Sequence, residues 1–165
     1  DLYLSSLTGW SAAGLELLTR EISINSAIAE KALSEFSAPT LDYAIDFSRA
    51  HAMADVSDSV LIQAEQIAAA SDVQLVLNQD LIAAAPEFNE LSELATELKV
   101  DVMQWILAGG EDHVLLATGA KLPGVRIGSV VAGSGVKVPS LNVNLTTPKE
   151  TICVAVAAKL ESTPL

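Results

Sequence analysis

Two acidic stretches contain most of the side chains in this sequence that could do chemistry. The first has Asp55 and Asp58 with Ser57 between them, where a strand-like run meets a helical pattern. The second has Glu111 and Asp112 directly after a double glycine. Magnesium prefers oxygen ligands, and in proteins it commonly binds one or two carboxylates together with waters and phosphate oxygens. Acidic pairs at such junctions therefore indicate magnesium-dependent phosphate chemistry.

Each stretch also has a purely structural interpretation. Ser57 or Asp58 can cap the helix that starts near Val60, because short polar side chains at a helix start accept backbone amide protons. Glu111 and Asp112 can be solvated acids that follow a helix end at the two glycines. If the first turn does bind phosphate, Ser57 lies near a helix N-terminus, where backbone amides attract anions. The residues alone leave both interpretations open for each stretch.

The other reactive residues form no recognisable site. His51 and His113 are the only histidines and Cys153 is the only cysteine, so a zinc site is not expected. Cys153 lies in an apolar run and is predicted to be a buried thiol. The glycines of Gly133–Gly135 could approach a phosphate, but a hairpin turn is favoured because no helix follows them.

The composition describes one folded and strongly acidic domain. Apolar residues make up 50% of the 165 residues, enough for a real core. Only 4% are aromatic, so Ala, Val, Leu and Ile must build that core, with Trp10 and Trp105 packed among them. The net charge is −12 and no two Lys or Arg residues are adjacent. Such a surface repels nucleic acids and anionic membranes, and neither is an expected partner.

The sequence shows no signal-peptide pattern and no apolar run of membrane-spanning length. With a single cysteine, the chain is expected to be cytoplasmic.

The hydrophobic pattern predicts strands that alternate with helices. Predicted strands cover residues 2–7, 52–56, 73–77, 113–118, 125–131, 136–138 and 141–145. Predicted helices cover residues 11–18, 27–36, 41–51, 60–70, 87–98 and 102–108. In the tail, a capping box at residues 147–150 favours a helix over a strand. This order, with strands clustered late, predicts an α/β (α+β) layered sandwich with a mixed sheet, as a single domain over residues 1–165.

Taken together, these stretches resemble the C-terminal domain of bacterial thiamine-monophosphate kinase, a member of the aminoimidazole ribonucleotide synthetase-like superfamily. The resemblance runs from Leu2 to about Val136. It rests on the order and spacing of Thr8-Gly9, residues 11–15, residues 52–58, Gly110-Glu111-Asp112 with Leu115-Leu116, and Ile127-Gly128 through Gly133 and Gly135.

The resemblance implies an enzyme that transfers the γ-phosphate of ATP to thiamine phosphate and forms thiamine diphosphate. Carried over to this sequence, Asp55 and Asp58 would be magnesium ligands and Ser57 would contact ATP. Glu111 and Asp112 would lie at the thiamine-phosphate site. No catalytic residue is assigned in this sequence, because phosphoryl transfer depends mainly on positioning and charge neutralisation, with little covalent work for side chains.

The family resemblance also implies a missing partner. In the family an N-terminal domain supplies most of the nucleotide and magnesium site and mediates dimerisation. This sequence starts without methionine where the C-terminal domain would start. We therefore expect a fragment of a full-length homodimeric enzyme, folded but without appreciable kinase activity alone.

Several positions depart from the family pattern. Ser59 replaces a glycine, His113 and Val114 replace tyrosine and glutamate, and Ala117 replaces phenylalanine. No glycine-aromatic-x-histidine-phenylalanine stretch follows Val136. These departures leave two alternatives. One is another ATP-using member of the superfamily, such as a purine-biosynthesis synthetase or a hydrogenase maturation factor. The other is a degenerate homologue that only binds ligand.

Overall fold

The predicted α/β architecture with a mixed sheet is confirmed. The structure, a computed structural model, describes residues 1–41 and 44–139 and the backbone of residues 143–145. The helices are α1 (Trp10–Thr19), α2 (Ala27–Ser37), α3 (Val60–Ser71), α4 (Gln79–Ala83), α5 (Phe88–Leu98) and α6 (Val102–Ala108). The strands are β1 (Leu2–Leu4), β2 (Ala52–Val56), β3 (Gln74–Leu77), β4 (Val114–Thr118), β5 (Val125–Val131), β6 (Gly135–Val138) and β7 (Val143–Leu145).

The seven strands form one sheet in the order β2-β4-β1-β5-β3-β6-β7. β3 and β6 run parallel, and every other neighbouring pair is antiparallel. β7 lies at one edge of this sheet, as the alternating pattern of residues 141–145 predicted. β2 lies at the opposite edge and pairs with β4. The strand that carries Asp55 is therefore held to the rest of the sheet through β4.

The two faces of the sheet are covered differently. Neighbouring residues of a strand point to opposite faces, so Leu2 and Leu4 of β1 face one way and Tyr3 faces the other. Leu2 and Leu4 are fully buried in the main core, which the helices cover. Tyr3 belongs to a smaller cluster on the other face, together with Phe47, Ala117 and Leu122.

Helix α3 packs directly on the sheet, against β2, β3, β4 and β6, and it also meets α6. α1, α2, α5 and α6 pack against one another around the same core. α1 and α2 approach closely at Gly14, where a Cβ atom would lie 2.2 Å from the Ala32 oxygen and 2.7 Å from the Phe36 Cβ. Among the described residues, no helix has both the length and the apolarity that a bilayer span requires.

The predicted helix over residues 41–51 is wrong. Leu41 and residues 44–51 form turns and bends instead. Thr40 does not cap a helix, because its amide and hydroxyl donate to the Glu35 carboxylate, each at 2.8 Å. Ile45 and Phe47 then pack on the smaller cluster. The segment covers the second face of the sheet, so its conformation depends on contacts with distant residues and not on its own helix-like pattern.

Two further predictions need correction. Residues 132–134 form a bend that leads into β6 at Gly135, but this is not a hairpin, because β3 lies between β5 and β6 in the sheet. The short helix α4 was not predicted, although Asn78 caps it by accepting from the amides of Asp80 at 2.9 Å and Leu81 at 3.1 Å. The predicted tail helix and the predicted burial of Cys153 lie outside the described residues.

We expect Gly14→Ala to destabilise the chain although alanine is the better helix former. The added methyl group would clash with the α2 backbone, and overpacking of this kind costs about 1–3 kcal/mol. Urea denaturation should show the loss as a lower midpoint. Leu18→Ala, on the same helix at a side chain that is 50% exposed, should cost clearly less. A Gly14→Ala chain as stable as the original would contradict this close helix contact.

Candidate phosphate-transfer site

The two acidic stretches, predicted separately from the sequence, meet at one edge of the sheet. β2 ends and β4 begins at the same point, because Val56 pairs with Val114 and Asp55 pairs with Leu115. The turn after β2 contains Ser57 and the loop before β4 contains Glu111. Antiparallel pairing alone therefore places the turn and the loop side by side.

Backbone contacts fix the loop on the turn. The Glu111 amide donates to the Ser57 oxygen at 2.7 Å, and the His113 amide donates to the Val56 oxygen at 3.1 Å. Gly110 passes so close that a Cβ atom on it would lie 2.2 Å from the Asp58 oxygen. The second glycine of the double-glycine signal is therefore needed for close approach to the turn.

The side chains at this edge face solvent and are mostly acidic. Asp58 is exposed, and the side chains of Asp55 and Glu111 are 42% and 71% exposed. His113 lies between the latter two. Its Nδ1 is 3.7 Å from an Asp55 oxygen and its Nε2 is 3.6 Å from a Glu111 oxygen. Three carboxylates of one sign at one edge favour a cation there.

The capping residue of α3 is Ser59, so the alternative that Ser57 or Asp58 caps this helix is wrong. The Ser59 side chain accepts from the Ile62 amide at 3.2 Å, and its backbone is extended. Ser59 is also the position where the family pattern has glycine. Because Ser59 does the capping, the Asp58 carboxylate is not used for it.

Asp112 differs from its acidic neighbour because it is buried. Asp112 is only 8% exposed. Its two carboxylate oxygens accept from the Gly9 amide at 2.8 Å and from the Ser11 amide at 3.0 Å. Burial raises the pKa of the Asp112 carboxyl, the two amides partly offset this, and Glu35 adds repulsion. The interpretation as a solvated acid is therefore wrong for Asp112, whereas Glu111 is exposed to solvent.

The backbone around Asp112 is strained. Glu111 has φ 67° and His113 has φ 51°, both in the left-handed region. This conformation costs a residue with a side chain roughly 1–2 kcal/mol. Such strain persists where surrounding contacts hold it, and it is common at functional sites. The sequence analysis did not predict this strain, because Glu is not a residue type that favours the left-handed region and one His is a weak signal for it.

A small cavity lies behind the loop. Its volume is about 160 Å³, and Asp112, Trp10 and Lys31 are among its lining residues. The Lys31 ammonium sits 3.8 Å from the centre of the Trp10 ring and 2.6 Å from a Glu87 oxygen. Trp10 and Trp105 are 4% and 3% exposed, so the prediction that both indoles pack in the core is confirmed.

The donor set at the acidic edge is compatible with magnesium but not with a closed metal site. In the part of the chain that the structure describes, no three His, Cys, Asp or Glu side chains are grouped closely enough to hold a metal ion. Magnesium does not need such a group, because one or two carboxylates suffice when phosphates and waters supply the other ligands. Asp55 and Asp58 offer hard oxygen donors of this kind.

Known proteins match this chain in sequence and in fold. Thiamine-monophosphate kinase of Mycobacterium tuberculosis is 44% identical over 68 residues, or 41% of this chain and 20% of that protein. Thiamine-monophosphate kinase of Aquifex aeolicus is 31% identical over 146 residues, or 82% of this chain and 46% of that protein. A solved structure described as AaThiL complexed with AMPPCP and TMP has a TM-score of 0.74 at 30% identity, covering 87% of this chain and 48% of that one.

These matches confirm the resemblance to thiamine-monophosphate kinases, both in sequence and in fold. No family model matches the chain. The chain spans about half the length of the Aquifex aeolicus relative and of the AaThiL structure, and a fifth of the Mycobacterium tuberculosis relative. It therefore corresponds to one part of these proteins.

We expect Ser59→Ala to lower the free energy of unfolding by about 1 kcal/mol, because it removes the cap of α3. Ser57→Ala, two residues earlier, should change stability little. Urea denaturation of the two variants compares them directly. Equal losses, or a larger loss for Ser57→Ala, would contradict the assignment of the cap.

Proposed function

Because this chain shares its sequence and fold with thiamine-monophosphate kinases, we propose that it is the C-terminal domain of such an enzyme. The reaction would transfer the γ-phosphate of ATP to thiamine phosphate and yield thiamine diphosphate. The observation that carries the proposal is the meeting of the Ser57–Asp58 turn with the Glu111 loop at one solvent-facing edge. AMPPCP, an ATP analogue, is bound in the structure described as AaThiL complexed with AMPPCP and TMP.

We propose that Asp55 and Asp58 hold magnesium in the complete enzyme. Both carboxylates are exposed and lie at the end of β2, one before and one after the chain turns towards α3. Magnesium would neutralise phosphate charge and orient the phosphate oxygens, which is the main requirement of phosphoryl transfer. The fold fixes the backbone of both residues, because the strand pairing holds Asp55 and the capped start of α3 follows Asp58 directly.

The remaining site residues have roles that fit their positions. Ser57 is half-buried in the turn before α3, where helix amides favour the phosphates of ATP. Glu111 is exposed on the neighbouring loop, and we assign it to the thiamine-phosphate side. Thiamine phosphate has a positively charged thiazolium ring, which a carboxylate attracts. The turn and the loop would thus serve the two substrates from adjacent positions.

We also propose that a further domain completes the enzyme. The matched relatives are about twice as long as this chain, and the acidic edge has too few ligands to bind ATP alone. An N-terminal domain would supply the rest of the nucleotide and magnesium site and mediate a homodimer in the cytoplasm.

The role of Asp55 and Asp58 predicts a large loss of activity on neutralisation. In the full-length protein, Asp55→Asn and Asp58→Asn should each lower kcat/KM by about 100-fold or more, since even outer-shell changes at metal sites cost 10–100-fold. Asp72→Asn is the matched control, because Asp72 is an exposed aspartate at the end of α3 and its left-handed backbone also suits asparagine.

The measurement is ATP-dependent formation of thiamine diphosphate at several magnesium concentrations. More magnesium should partly restore the two variants and leave the Asp72→Asn rate unchanged. Near-normal turnover of both variants would remove the magnesium assignment. A folded full-length protein that binds ATP but does not phosphorylate thiamine phosphate would favour another ATP-using member of the superfamily or a homologue that only binds ligand.

The requirement for a second domain is tested with the isolated chain. We expect the 165-residue chain to fold, as circular dichroism would show, and to form no measurable thiamine diphosphate under conditions where the full-length protein turns over. Comparable turnover by both proteins would show that this chain contains the whole site.

A further inference from the structure

Asp112 links the acidic edge to a different part of the core. Its two oxygens accept from the amides of Gly9 and Ser11, which lie on either side of the first residue of α1. The Ser11 hydroxyl donates to the Glu111 oxygen at 2.9 Å. Three hydrogen bonds thus tie residues 111 and 112 to the start of α1.

The start of α1 is itself held from the other side. The Thr8 hydroxyl donates to the Ile106 oxygen at 2.7 Å in a fully buried position. Gly9 has φ 107°, and a Cβ atom on it would lie 3.1 Å from the Ile106 nitrogen. The amides that bind Asp112 therefore belong to a segment packed tightly on α6, and they form a rigid support for the loop.

The two strained residues flank Asp112 and project the opposite way. Glu111 and His113 are both left-handed and are both more exposed than Asp112. The Glu111 amide donates to the oxygen of Ser57 in the turn after β2, and the His113 amide donates to the oxygen of Val56 at the end of β2. The loop therefore has two sets of contacts: Asp112 binds the start of α1 in the core, and its two neighbours bind the backbone at the end of β2. The contacts of Asp112 with the amides of Gly9 and Ser11 hold the buried middle of the strained segment, between the two outer hydrogen bonds.

We propose that Asp112 is a positioning residue: by binding the start of α1, it holds Glu111 and His113 beside Asp55. This replaces the sequence-based prediction that Asp112 itself contacts thiamine phosphate, and it rests on the proposed function for its catalytic consequence. Asp112 acts through Glu111, and the carboxylate that meets substrate is the exposed one. His113 separates Glu111 from Asp55 and depends on the same support.

A double-mutant cycle in the full-length protein distinguishes positioning from direct contact. Asp112→Asn keeps the shape of the side chain but turns one acceptor into a donor that faces an amide. It should lower kcat/KM for thiamine phosphate about tenfold in the native background and less than about threefold in a Glu111→Gln background, because residues that act as a unit are not additive. Equal factors in both backgrounds would overturn the proposal and support direct contact by Asp112.

A second measurement does not depend on activity. Hydrogen exchange at the Glu111 and His113 amides should become at least about tenfold faster in Asp112→Asn, because local opening governs protection. Asp101→Asn is the matched control, since Asp101 also accepts a backbone amide at a helix start, that of Met103 at 3.0 Å. This control should leave the two loop amides unchanged. Unchanged exchange in a folded Asp112→Asn protein would overturn the proposal.

If Asp112→Asn does not fold, Asp112→Ser provides the test, because its smaller side chain fits the same space and cannot accept from the amides of Gly9 and Ser11 together. Faster exchange at the two loop amides supports the proposal, and native exchange rates contradict it. A wild-type protein without turnover would remove the proposed function, whereas the exchange data would still decide whether Asp112 holds the loop.

Discussion

The pairing of β2 with β4 is the constraint on which the candidate site depends. β2 lies at the edge of the sheet, and β4 joins it to the rest. The register from Ala52 opposite Thr118 to Val56 opposite Val114 brings the end of one strand to the start of the other. Two sequence stretches more than fifty residues apart become one acidic edge through this ladder. Every further contact of the site refines a geometry that the pairing has already established.

The rest of the molecule supports this edge from behind. α3 covers the inner face of β2 and β4 and starts directly after the Ser57–Asp58 turn, with Ser59 as its cap. α1 and α6 meet below the loop. There the buried Thr8 hydroxyl donates to a backbone oxygen, and the buried Asp112 carboxylate accepts from backbone amides. A strained loop on a rigid core is a common way to hold functional side chains in place. Neighbouring residues thus differ in role: Glu111 is exposed at the candidate site, whereas Asp112 is buried and binds the core.

Much of this architecture could be predicted from the sequence, because the signals were local. Apolar periodicity located most of the helices, and the bounds of α3, α5 and α6 agree with their predicted bounds to within one residue. The role of residues 41–51 could not be predicted, because a helix-like pattern is overridden there by packing of Ile45 and Phe47 on the sheet. Local patterns cannot reveal a partner that lies far away in the chain.

The site shows the same division between local and distant information. Asp55, Ser57 and Asp58 were recognised from residue type and spacing, and so were Glu111 and Asp112. Their proximity, however, depends on strand order, which no spacing discloses. The contrast between exposed Glu111 and buried Asp112 was also hidden, because it depends on the amides of Gly9 and Ser11, about a hundred positions away. His113 was noted only as a departure from the family, yet it lies between two of the acids.

The alternation of side chains along β2 has a consequence for how the chain folds. Asp55 faces solvent and Val56 is fully buried, so a slip of one position in the pairing would turn the carboxylate into the core and the valine into water. An unpaired buried charge is among the most unfavourable features a protein can contain. A β2–β4 pairing shifted by one residue would therefore be destabilised by Asp55, the residue proposed to bind the metal. Asp55 thus helps to specify the register between β2 and β4, apart from any role in binding a metal.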